Sequence, residues 1–104
     1  MRRGRPDLDH AVQVCEHIAK EGKPVLWGRR NEADGLEDSG WQFRCTGDSV
    51  EPPTGFRFWS IQELIEEDAT VSTIINCPTG ATVERARPEE DWIVTGYDPR
   101  KPVR

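Results

Sequence analysis

Four side chains in this 104-residue chain have the chemistry to hold a soft metal ion: Cys15, His17, Cys45 and Cys77. Thiolates and an imidazole in fours suit tetrahedral zinc. Their spacing argues otherwise, because there is no C-x2-C pair and the intervals match no zinc finger or ribbon. An odd, widely spaced set of cysteines with no secretory leader also argues against a disulfide framework. The expectation is three free, mostly buried thiols, no metal and no other cofactor. Cys15 and His17 lie two apart and would share a face on a strand. A Cys–His nucleophile also needs a third group to orient the base, and none is marked.

Paired carboxylates are the next candidates. Glu66-Glu67-Asp68 and Glu89-Glu90-Asp91 read as solvated runs. A general acid needs one carboxyl raised in an apolar pocket, which such runs do not provide. Gly28, Gly35, Gly40, Gly47 and Gly55 are scattered, with neither G-x-x-x-x-G-K-[ST] nor G-x-G-x-x-G. No catalytic residue is therefore expected, and the chain reads as a binding protein and not an enzyme.

Charge says more about partners. The net charge is −5, unevenly placed. All 19 acids lie between Asp7 and Asp98, whereas Arg2, Arg3, Arg5, Arg100, Lys101 and Arg104 crowd the two tails. The body is strongly acidic, which disfavours nucleic-acid phosphates and favours steering toward a basic protein. Acidity also serves solubility alone. Met1-Arg2-Arg3-Gly4-Arg5-Pro6 has no apolar stretch behind it, so it is not a secretory signal. No apolar run approaches the ~18 residues that span a bilayer. The expected location is the cytoplasm, with neither membrane nor nucleic acid as partner.

These residues must be positioned by one domain. The length allows a single core over residues 8–97, between basic tails 1–7 and 98–104 that are rich in Arg, Pro and Gly and expected to be mobile. The first segment reads two ways. Leu8, Ala11, Val12, Cys15, Ile18 and Ala19 recur at helical spacing, with Asp7 placed to cap and Gly22 to end the helix. Ala11–Cys15 also reads as a short strand, apolar on both faces. Periodicity alone favours the helix.

Val25-Leu26-Trp27-Gly28-Arg29 reads as a strand. After an acidic loop, Trp41, Phe43 and Cys45 alternate with Gln42 and Arg44, the mark of a half-buried strand. Phe56-Arg57-Phe58-Trp59 is a short apolar run. Ser60-Ile61-Gln62-Glu63 is a capping box that opens a helix, with Ile61, Leu64 and Ile65 as its apolar stripe. Glu66, Glu67 and Asp68 oppose the dipole at its far end, so this helix, about 60–68, should be short. Val71 to Cys77 is apolar and β-branched, and Pro78-Thr79-Gly80 is a turn. Ala81–Arg85 and Trp92–Thr95 read as late strands. The expected fold is α+β: an antiparallel sheet of four to five strands with one packed helix. Four tryptophans, Trp27, Trp41, Trp59 and Trp92, are available to fill its core.

One ordered set of segments goes further. It runs from Glu21 to Glu32 (EGKPVLWGRRNE), through Asp38-Ser39-Gly40-Trp41-Gln42-Phe43 and Gly47-Asp48, to Trp59-Ser60-Ile61 and Pro78-Thr79-Gly80-Ala81-Thr82-Val83-Glu84-Arg85. This order resembles the Imm33-like (DUF2185) family of small bacterial domains, grouped with the immunity proteins of polymorphic toxin systems. The similarity covers about Val12 to Arg85. It implies that the first segment is a strand, and that reading is adopted here. It also implies a non-catalytic protein that neutralises a toxin by direct binding; the alternative is a scaffold domain with no toxin. Many toxins are basic nucleases, so the partner expected is a basic toxin. The acids expected to meet it are Asp34, Glu37, Asp38 and Asp48, in two neighbouring loops. Asp38-Ser39-Gly40 is itself expected to be a tight turn before a strand, its side chains bonded to nearby amides and its glycine at positive φ. Trp41 is expected in the core.

Overall fold

The computed structural model describes residues 8–33, 35–46 and 55–97. The expected mobile tails, Asp34 and Asp48 lie outside them. Six strands and two helices follow one another: β1 (Ala11–Cys15), α1 (Glu16–Glu21), β2 (Trp27–Arg30), β3 (Asp38–Arg44), β4 (Phe56–Ser60), α2 (Ile61–Glu67), β5 (Ala81–Glu84) and β6 (Ile93–Tyr97), with a 3-10 helix at Ala69–Thr73. The strands form one sheet in the order β4-β1-β3-β2-β5-β6.

The class is α+β, as expected, but the sheet is neither four- to five-stranded nor wholly antiparallel. β1 and β3 pair in parallel, while the other neighbours are antiparallel. A parallel pair needs a long crossover, and here α1 and β2 supply it. Alternation within a strand reports which face is buried, not which way its neighbour runs, so the sequence did not carry this pairing.

The ambiguous first segment is both of its readings in succession. Val12 and Val14 are buried on β1, and Cys15, extended at φ −65° and ψ 154°, is the N-cap of α1. Ile18 is the buried residue of this six-residue helix, and Gly22, in the left-handed conformation at φ +71°, closes it. The helical spacing of Ala11, Val12, Cys15, Ile18 and Ala19 runs on through both the strand and the helix, which made the periodicity misleading. The second helix is as read. Ser60 Oγ accepts from Glu63 N at 3.0 Å and Ser60 N donates to Glu63 Oε1 at 2.8 Å. It ends at Glu67, before the last of the three acids.

Both helices and the 3-10 helix cover one face of the sheet. Val12, Val14, Trp41, Phe43 and Val83 face Ile18, Ile61, Leu64, Val71, Ile74 and Ile75 in one core. Trp41 is buried, stacks on Phe43 at 5.1 Å and donates its indole N–H to Ile75 O at 3.0 Å. The other three tryptophans are only partly buried. β-branched Val71–Thr73 is helical because Asp68 caps it, accepting from Thr70 N at 3.1 Å. Among the described residues, no helix is long and apolar enough to cross a membrane.

Candidate partner-binding face

Among the described residues no helix packs on the other face of the sheet, which makes it the candidate face for a partner. Side chains that alternate with the core residues stand on it: Phe58, Gln13, Gln42, Arg29 and Thr82 fall in one row across five strands by their register. Gln42 donates to Gln13 at 3.3 Å, and Arg29 donates to Thr82 Oγ1 at 3.0 Å and to Asn31 Oδ1 at 3.1 Å. Arg44 lies over the Trp27 ring at 5.2 Å. Most of this row is polar and internally satisfied.

Its β4 end is different. There Ala11, Gln13, Leu36, Glu37, Asp38 and Phe58 line an open hollow of about 600 Å³. Leu36 is 95% exposed and Phe58 68% exposed. Large apolar side chains left in water beside a concavity are the usual anchors of an interface. Glu37, exposed, and Asp38, half-buried, stand beside them.

Two of the four acids singled out from the sequence thus line this hollow. Asp34 and Asp48 fall outside the described residues. Asp38 is already engaged: its Oδ1 accepts from Gly40 N at 3.1 Å. It also lies close enough to buried Arg30 to oppose the loss of the guanidinium proton that desolvation favours, as does Cys77. Arg30 donates to Ser39 O and Cys77 O, each at 3.0 Å. Glu37 is the more available acid.

Asp38-Ser39-Gly40 is not a turn ahead of the strand; it is the first part of β3. β1 advances from Ala11 to Gln13 while β3 advances from Asp38 to Gln42, so the segment forms a bulge. Ser39 Oγ donates to Ala11 O at 2.7 Å and accepts from Trp41 N at 3.1 Å. Gly40 has φ +88°, and a Cβ there would sit 2.1 Å from Asn31 O. The side-chain bonds and the positive φ are as expected. They shape the rim on which Leu36, Glu37 and Asp38 sit.

Leu36 and Phe58 were not found by sequence reasoning. The available signals were a lone leucine in an acidic loop and a phenylalanine one residue out of phase with its strand's buried side. Of the carboxylate runs, Asp68 pairs with buried Arg85 and Glu90 with Arg87 at 3.1 Å.

The thiols were expected to be free and mostly buried. Cys15 is buried, Cys45 and Cys77 are half-buried, and all three are free. The fold brings Cys15, His17 and Cys45 together, their ligand atoms all within 4.8 Å of one another, and leaves Cys77 apart beside Arg30. Burial and the neighbouring Cys15 push the Cys45 thiol up, with Lys23 opposing.

No curated protein and no solved structure matches the chain. A family model does: that of the immunity protein Imm33 domain matches residues 12–95, and so reaches into every strand of the sheet and takes in Leu36, Glu37, Asp38 and Phe58. The chain belongs to the Imm33 immunity protein family.

Proposed function

We propose that this protein is a non-catalytic inhibitor that acts in the cytoplasm by binding a basic toxin and covering its working surface. One observation carries the reading beyond the family: exposed Leu36 and Phe58 share the wall of one hollow with Glu37 and Asp38. Apolar anchors supply affinity where they are desolvated, and acids at the rim steer a cationic partner and fix its orientation. The acidic body extends the same field. The hollow is open, so it suits a protruding side chain or loop of a protein better than an enclosed small molecule.

The test uses tagged protein and its Leu36→Ala, Phe58→Ala double variant in parallel pull-downs from lysate of the native source. The partner retained by the parent is then purified and its toxic activity assayed with each form. Loss of two anchors of ~2 kcal/mol each weakens binding by about a thousandfold. Glu37→Gln should chiefly slow association and flatten its salt dependence. A partner that binds the double variant as well as the parent removes the hollow as its site. A partner whose activity the parent does not reduce removes the inhibitor reading.

A further inference from the structure

The parallel strands β1 and β3 lie inside the sheet and end together at their C-terminal ends, away from the Leu36–Phe58 hollow at the start of both strands. Val14 pairs with Phe43, so Cys15 and Cys45 leave their strands side by side. Cys15 is also the N-cap of α1, and that turn carries His17 back over them. Residues 30 apart in the chain thus meet because β1 and β3 pair in parallel, which the sequence did not reveal.

The geometry is near that of a metal centre. The two Sγ atoms and the imidazole nitrogen all lie within 4.8 Å of one another, and Cys45 Sγ is 3.8 Å from His17 Nδ1. Tetrahedral zinc with Zn–S of about 2.3 Å and Zn–N of about 2.0 Å holds S and N ligands ~3.6 Å apart and two S ligands ~3.8 Å apart. Rotamer adjustment of exposed His17 and half-buried Cys45 closes the remaining distance. Two sulfurs and an imidazole select a thiophilic ion over calcium or magnesium, which take oxygen ligands.

We propose that Cys15, His17 and Cys45 form a three-ligand site for a thiophilic divalent ion of the zinc type, with the fourth position reached from solvent beside His17. The thiol protons are released to solvent as the two sulfur–metal bonds form. The ion ties the ends of β1, α1 and β3 to one another, and it stabilises the fold by mass action. This site is independent of the partner-binding reading, since it shares no residue with the hollow.

The full chain, kept reduced, is titrated with Zn²⁺ against a chromophoric chelator, and with Co²⁺ for its absorption spectrum. The expected result is one equivalent bound, thiolate-to-cobalt charge-transfer bands, and the visible bands of tetrahedral cobalt. Cys15 is in the core, so the variants are made at the outer ligands. Cys45→Ser and His17→Ala should each weaken binding at least tenfold, while Cys77→Ser leaves it unchanged. Circular dichroism confirms that each variant is folded. Absence of stoichiometric binding, or binding that survives either outer substitution in a folded variant, overturns the site.

Discussion

Replacing Asp68 by Asn tests the buried Arg85 cation on which Val25 and the residues around the second helix and the last two strands converge. The Arg85 side chain is fully buried, whereas Asp68 keeps 20% exposure. The guanidinium bonds Val25 O twice, at 3.1 and 2.9 Å, and Thr70 Oγ1 and Pro88 O at 2.9 Å each. It pairs with the Asp68 carboxylate and lies 4.4 Å over the Trp92 ring. Five residues, Val25, Asp68, Thr70, Pro88 and Trp92, therefore converge on one cation.

Asp68→Asn keeps the shape and removes the only carboxylate bonded to this cation among the described residues. Breaking a buried pair from one side costs about 3–5 kcal/mol. The neutral acceptors that remain, and the partial exposure of Asp68, place this case near ~3 kcal/mol. For a domain of this size that lowers Tm by about 12 °C or more. Arg85→Met removes the cation, and Asp68 is then still bonded by Thr70 N at 3.1 Å and the Thr70 hydroxyl at 2.6 Å. In that background Asp68→Asn should cost under ~1 kcal/mol, so the two changes couple by about 2 kcal/mol. A double-mutant cycle by urea unfolding measures it. Additivity within ~0.5 kcal/mol would show that the pair is not the clamp inferred here.

Two further outcomes follow from the geometry. Gly40→Ala places a β-carbon 2.1 Å from Asn31 O at φ +88°, so it should cost ~3 kcal/mol or more by thermal melting and blunt partner binding through the displaced rim; a Tm within a few degrees of the parent refutes this account of the bulge. Burial pushes the Cys77 thiol up, with Arg30 opposing, so its contribution to stability is intact below the unfolded-state pKa and is lost as pH rises through the higher folded one. Site-resolved iodoacetamide labelling at mildly alkaline pH should modify Cys77 several-fold more slowly than in the urea-unfolded chain, and equal rates would contradict the burial.

Much of the fold was legible because it rests on local signals. The Ser60–Glu63 capping box, the Trp41–Phe43 alternation and the Pro78–Gly80 turn each depend on neighbours within four residues, and each stands as read. The first segment failed by periodicity because strand and helix divide it at Cys15, and the family resemblance decided for the strand that the residues had left as one of two readings. Val71–Thr73 has strand-like residues but coils because Asp68 caps it and Trp41 bonds the carbonyl beyond it. Glu37 and Asp38 were singled out from charge, whereas Leu36 and Phe58 were not, because an apolar residue in a sequence carries no sign of being left in water.

The sequence by itself determined the α+β class, the second helix and its cap, the core role of Trp41, the bonded Asp38-Ser39-Gly40 segment and the family. The first four follow from side-chain chemistry acting over one turn or one strand, and the family from the order of segments along most of the chain. Tertiary structure alone decided that β1 runs parallel to β3, that Leu36 meets Phe58 across a hollow, and that Cys15 and His17 meet Cys45. Each of these joins residues about 20 to 30 positions apart. Such contacts depend on strand order and direction, which are set by how the whole core closes and not by any local pattern.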